Sequence, residues 1–253
     1  MNDTDAATLA AEPSSQGRRG TGSEWLQSAR TLAVVVVVFL GFRVALFQPF
    51  TIPSGSMEPN LLVGDYIVVS KYPYGLSQAS LPFGLPLFQG RLFGHEARRG
   101  DIVVFKLPRD GRTDYVKRII GLPGDRIQVR GGTVWLNGRP LSREEMSPGI
   151  ERTEFGFARA VQRFLETLPD GRSYVTNAYS SDADVDNTGV YVVPAGHYFV
   201  MGDNRDNSED SRYPESVGVG YVPADNLEGR ADLILFSLNG MRFRPDRFFK
   251  ALR

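Results

Sequence analysis

From Leu32 to Phe42 every residue is apolar or glycine, and Val44 to Phe47 continue the run past Arg43. Val34 to Val38 alone would suit a buried strand, but the length of the whole stretch predicts a membrane helix. Starting near Ser23, a good N-cap, and ending near Phe47, about 24 residues at about 1.5 Å each reach about 36 Å, enough to cross a bilayer with tilt. Arg43 near one end can snorkel to the headgroups, and Trp25 and Phe47 suit the two interfaces. Beyond the run the pattern shortens to period two. Strands are predicted over Asp65–Lys71, Asp101–Lys106, Tyr115–Ile120, Arg126–Arg130, Thr133–Leu136, Tyr191–Val193, His197–Met201 and Ala231–Phe236. Gly131-Gly132 and Asn137-Gly138 are two-residue hairpin signals, so the pairing is antiparallel. In 141–190, Val161, Phe164, Leu165 and Leu168 have helical spacing while Pro169-Asp170-Gly171 suits a hairpin tip, and both readings stay open. The expected fold is mainly β, an antiparallel sheet or barrel-like domain after one N-terminal transmembrane helix. Its parts are a disordered tail (1–22), the anchor (23–48), the β domain (49–240, with an irregular insertion around 141–190) and a C-terminal tail (241–253).

Composition narrows the chemistry. The 253 residues suffice for one large or two modest domains, and 29 basic residues balance 29 acidic ones, so no net charge draws the chain to nucleic acid. There is no cysteine, which removes disulfides, thiolate metal sites and cysteine nucleophiles. A Ser-His-Asp triad could draw its base only from His95 or His197. Arg18, Arg19 and Arg30 precede the apolar run and the next basic residue after Arg43 is Lys71, which orients the N-terminus to the cytoplasm and the β domain outside. A cleavable leader would need a small-x-small site after its apolar core, and none follows.

Three segments carry candidate chemistry. Ile52-Pro53-Ser54-Gly55-Ser56-Met57-Glu58-Pro59 holds two hydroxyls one residue apart on a backbone that proline and glycine keep irregular. By itself this is weak, since a serine-rich turn looks the same. In Tyr115-Val116-Lys117-Arg118, strand alternation sets Lys117 on a face with Tyr115 and Ile119. If that face is buried, the ammonium is disfavoured and a neutral amine becomes available as a base; an edge lysine reaching water is the plainer alternative. Gly202 to Arg212 is a dense polar cluster without the spacing of a calcium loop, in which Ser208 could orient a lysine amine.

Pro53-Ser54-Gly55-Ser56-Met57, Gly64-Asp65, Arg99 to Phe105, Tyr115 to Arg118 with Gly121-Leu122-Pro123-Gly124-Asp125, and Gly202 to Ser208 with Asp210-Ser211-Arg212 occur in this order. Together they closely resemble bacterial type I signal peptidase, over about residues 31–236. The resemblance implies a serine endopeptidase on the outer face of the cytoplasmic membrane that removes signal peptides from exported preproteins; the one apolar run makes this chain single-pass where some members have two anchors, and no cofactor or metal is expected. It implies Ser56 as nucleophile, Lys117 as general base, Ser54 as a hydroxyl assisting the oxyanion hole and Ser208 as the residue positioning the lysine. Gly202, Asn207, Asp210 and Arg212 match structural positions around them. Ile52, Pro53, Met57, Tyr115 and Val116 would wall shallow pockets for small substrate side chains. Glu58 and Asn60 depart from the family's familiar Met and Thr. The implied partners are signal peptides, the lipid bilayer and a neighbouring protein translocation channel, with no nucleic acid.

Three rivals share parts of this pattern: a self-cleaving SOS-repressor domain, which would need a DNA-binding domain where the apolar run stands; a Ser-Lys peptidase for pilin maturation in conjugative transfer; and an inactive membrane-anchored scaffold, against which Ser56, Lys117 and Ser208 together argue. Leu81 to Phe88 with Leu92-Phe93 are rich in large apolar groups amid proline and glycine, and Leu85, Leu87 and Phe88 are expected to touch lipid.

Overall fold

The computed structural model describes residues 21–80, 90–152, 157–179 and 184–252. The expected lipid contacts Leu85, Leu87 and Phe88, and nearly all of the expected N-terminal tail, lie outside them. The chain forms two compact units, one ending at Phe42 and one running from Arg43 to Arg253. The first is built on α1 (Thr21–Leu46). Along it Leu32 and Val34 to Phe39 are exposed. Among the described residues, however, no helix is long and apolar enough to cross a membrane, so the expected anchor over 23–48 is not confirmed. The helix opens on Ser23, Glu24, Gln27, Ser28 and Arg30, and these polar positions shorten its apolar stretch.

The second unit is mainly β. Its strands are β1 (Phe47–Thr51), β2 (Asp65–Ser70), β3 (Leu76–Ser77), β4 (Arg91–Leu92), β5 (Ile102–Lys106) and β6 (Asp114–Gly121), then β7 (Arg126–Arg130), β8 (Thr133–Leu136), β9 (Arg139–Pro140), β10 (Ser142–Arg152), β11 (Ala158–Thr167) and β12 (Ser173–Ala178). They are followed by β13 (Tyr191–Val192), β14 (His197–Met201), β15 (Val222–Pro223), β16 (Leu227–Asn239), β17 (Arg242–Phe243) and β18 (Lys250–Ala251). Among the described residues the main sheet runs β1-β2-β16-β5-β6-β14-β15. β17 and β18 also pair with β16, so the expected C-terminal tail returns to the sheet at these two strands.

Its neighbours pair antiparallel, and on β5 and β14 successive side chains go to opposite sides, both of them buried. On β5, Val103 and Phe105 join Ile119 and Val200 in one apolar cluster, while Ile102 and Val104 join Ile67, Met57 and Ile234 in another. On β14, Phe199 and Met201 face a third cluster with Ile127 and Val129. Each such side chain, fully withdrawn from water, contributes about 1.5–3 kcal/mol.

The sheet does not close, which corrects the barrel-like expectation. β1 and β15 stand at opposite ends and pair only inward. Pro49 within β1 lacks an N–H, a residue suited to an edge strand that closure would not leave free.

The hairpins follow their turn residues. Gly131 and Gly132 join β7 to β8 with φ of 53° and 72°, and Asn137 and Gly138 join β8 to β9 with φ of 52° and 82°. Both central residues are left-handed, as the two-residue turn that matches strand twist requires. Within 142–178 the described residues give β10, β11 and β12, which form a three-stranded sheet with Thr167 opposite Ser173 across the Pro169-Asp170-Gly171 tip. The helical spacing of Val161, Phe164, Leu165 and Leu168 loses to β pairing on both sides of β11.

Candidate active site

The segment after β1 is tied at both flanks: Ile52 N–H donates to Asp65 O at 2.9 Å, and Gly64 N–H donates to Ile52 O at 2.9 Å. Between these ties the chain makes one 3₁₀ turn, Gly55–Met57, entered from extended Ser54. Met57, 1% exposed, plugs the turn into the core and leaves Ser56 half-buried above it.

β6 supplies the lysine. Lys117 pairs with Val103 of β5 and is 3% exposed. Its Nζ donates to Ser56 Oγ at 2.7 Å across 61 residues of sequence. Burial pushes the Lys117 ammonium down to about 8, first through desolvation; Asp210, Asp203 and Glu209 pull it up, and Arg212 adds to the depression. Ser54 Oγ lies 3.5 Å from Ser56 Oγ.

The backbone of 202–212 closes the site from behind. Asn204 N–H donates to Ser56 O at 3.1 Å. A Cβ on Gly202 would sit 2.5 Å from Ser56 O and 2.3 Å from Ser208 Oγ, so only glycine lets this strand end lie against the nucleophile turn. Gly202 N–H donates to Asp210 Oδ2 at 3.0 Å, and Arg212 grips both oxygens of Asp210 at 2.8 Å. Ser208 faces the same space and is 7% exposed, yet its hydroxyl makes no hydrogen bond among the described residues. The expected hydrogen bond from Ser208 to Lys117 is therefore not formed here.

A cavity of about 700 Å³ opens over Ser56 and Lys117. All five expected pocket residues, Ile52, Pro53, Met57, Tyr115 and Val116, line it, with Ser54, Asn207 and Ser208. Neither histidine is among its described lining residues. Among the described residues no cluster of carboxylates, histidines or cysteines could hold a metal ion.

Sequence reasoning missed what lies beneath. Arg118, next to Lys117 and so on the opposite face of β6, donates to both oxygens of Asp203 at 2.8 Å and stacks over Tyr174. Asn60 Nδ2 donates to Asp203 Oδ2 at 2.7 Å, and Arg205 holds Glu166 of β11 with two 2.5 Å hydrogen bonds. These partners lie 39 to 143 residues apart, so no local pattern announces them. The departure at Asn60 was visible; its partner was not.

A family model described as "Signal peptidase, peptidase S26" matches residues 24–236. Signal peptidase I of Rickettsia canadensis is 42% identical over 225 residues, covering 86% of this chain and 80% of that protein. Signal peptidase I of Rickettsia typhi is 42% identical over 219 residues, covering 83% and 80%. A crystal structure of a signal peptidase I from Enterococcus faecalis is 28% identical, covering 54% of this chain and 97% of that one, with a TM-score of 0.32.

Proposed function

Because this chain belongs to the signal peptidase family, peptidase S26, it is a serine endopeptidase that cleaves signal peptides, and we propose that Ser56 is its nucleophile and Lys117 its general base. The observation that carries the assignment is the 2.7 Å contact from Lys117 Nζ to Ser56 Oγ, made by a lysine that burial brings to about 8. A base must be within hydrogen-bond reach of the proton it takes and must spend part of its time neutral near working pH. Neutral Lys117 accepts the Ser56 proton as Oγ attacks the scissile carbonyl. The Ser56 N–H and the Ser54 hydroxyl receive the developing oxyanion, Lys117 returns the proton to the leaving amine, and water, deprotonated in the same way, releases the acyl-enzyme. An extended substrate fits between the ends of β1 and β6, with small side chains against Ile52, Pro53, Met57, Tyr115 and Val116.

The same reading holds the enzyme on the cytoplasmic membrane by α1, N-terminus inside and β unit outside, near the translocation channel. Its support is the exposed apolar run from Leu32 to Phe39 and the arginines that precede it. A chain without cysteine suits single-cysteine labelling on sealed vesicles: a cysteine introduced at Ser23 should resist an impermeant reagent from outside and one at Asn239 should react. Equal reaction at both would end the topology. For the chemistry, the detergent-solubilised chain and Ser56→Ala are incubated with a preprotein, and the new N-terminus is sequenced. A correct cut by the wild type, absent with Ser56→Ala, is expected; cleavage by Ser56→Ala at the wild-type rate would remove Ser56 from the mechanism.

A further inference from the structure

The turn that carries Ser56 is also held by side chains that the reaction does not use. Asn204 Nδ2 donates to Gly55 O at 3.1 Å and to the Tyr179 hydroxyl oxygen at 3.3 Å. The Tyr179 hydroxyl in turn donates to Glu151 Oε1 at 2.9 Å. Each donor has one direction to run: an amide N–H₂ can only donate, and a carboxylate oxygen can only accept. The chain from Glu151 through Tyr179 and Asn204 to the Gly55 carbonyl is therefore oriented, and a change at Glu151 is felt at the peptide preceding Ser56. Glu151 lies on β10 and is 5% exposed. Its Oε1 also lies 3.6 Å from where a Gly55 Cβ would be, beside Glu58 Oε1 and Asn207 Nδ2 at 3.5 Å.

We propose that Glu151, acting through Tyr179 and Asn204, is a positioning residue for the nucleophile, so that the three-stranded insertion β10–β12 has a role in catalysis: it fixes the back of the Ser56 turn. The inference rests on Ser56 being the nucleophile and assigns a task to a region whose sequence suggested none. The surroundings fit it. Asp206, in the same loop as Asn204, accepts the Tyr179 backbone N–H at 2.6 Å, and Arg159 of β11 stacks over the Tyr179 ring at 4.2 Å, so the tyrosine is fixed at both ends. Among the described residues Glu151 Oε2 makes no hydrogen bond, and the carboxyl's partner is Tyr179. Glu58 carries the second carboxyl against Gly55. Burial and then the neighbouring Glu151 raise it to about 7, while Arg244 and Arg247 oppose the rise.

The test measures kcat and KM with a preprotein for the solubilised full chain and for Tyr179→Phe, Glu151→Gln and Glu151→Ala, with Ser56→Ala in the same series. A turn displaced by a fraction of an ångström should lower kcat about tenfold in Tyr179→Phe and Glu151→Ala and leave KM within about twofold, because reaction geometry suffers and substrate contacts do not. Glu151→Gln keeps an oxygen to accept from Tyr179 and should retain kcat to within about threefold. Tyr179→Phe deletes one oxygen and Glu151→Gln is isosteric, so thermal melts close to wild type are expected for both, and they decide the question if Glu151→Ala fails to fold. Wild-type kcat in Tyr179→Phe, a loss confined to KM, or Glu151→Gln as impaired as Glu151→Ala would each overturn the proposal. An active Ser56→Ala would instead overturn the nucleophile assignment.

Discussion

The pH dependence of cleavage tests the lysine directly, and its size follows from where Lys117 sits. Burial lowers its ammonium from 10.5 to about 8, a difference of about 2.5 units or about 3 kcal/mol between the protonation states. With a midpoint near 8, about one lysine in eleven is neutral at pH 7 and about ten in eleven at pH 9, so single-turnover cleavage should rise about tenfold across that interval and then level off. A solvated lysine near 10.4 would give about a hundredfold rise over the same interval, still climbing at pH 9. The assay is quenched single-turnover cleavage of a preprotein from pH 6 to 10, and a hundredfold rise without a plateau would refute the buried-base argument. The same burial has a cost in stability. Between about 8 and 10.5 the unfolded chain binds a proton that the folded chain does not, so stability rises with pH in that window, and below it the cost of the buried ammonium is fully present. Lys117→Met should therefore be inactive and, at pH 7, more stable than wild type by up to about 3 kcal/mol.

Three further outcomes are expected. Ser54→Ala should fold normally and lose about 10²-fold to 10³-fold in single-turnover rate, the usual loss for one oxyanion donor; an unchanged rate would take Ser54 out of the mechanism. Gly202→Ala forces a methyl to within 2.5 Å of Ser56 O and of Ser208 Cβ; the turn must move, and kcat should fall about a hundredfold for a destabilisation of only about 1–3 kcal/mol in thermal melts. Glu58 is raised to about 7 from an ordinary 4.5, so its protonated form supports the fold below 4.5 and that support is lost as pH climbs through 7; Glu58→Gln should stabilise the protein by about 1 kcal/mol at pH 8, after allowance for its partial exposure, and have little effect at pH 4.5.

What could be read from the sequence was local. Period-two alternation predicted β7 and β8 with their bounds, because a strand's faces write themselves into successive residues, and β14 showed itself as a short apolar run. Gly131-Gly132 and Asn137-Gly138 announced their turns because few other residue pairs tolerate two left-handed positions in succession. The ordered blocks around Ser56, Lys117 and Gly202 brought the candidate site into view before any geometry was known. Tertiary structure decided the rest. That the Lys117 face is buried, which separates a base from an edge lysine, depends on β5, the nucleophile segment and the 202–212 loop converging on it. Whether the main sheet closes depends on the partners of β1 and β15, which neither strand encodes alone. Val161, Phe164, Leu165 and Leu168 carry helical spacing, and only pairing on both sides makes β11 a strand. The buried pairs Arg118–Asp203 and Arg205–Glu166, and the relay from Glu151 to Gly55, join residues distant in the chain. A charged side chain reads the same in sequence whether it meets water or a partner, and only the fold supplies the partner.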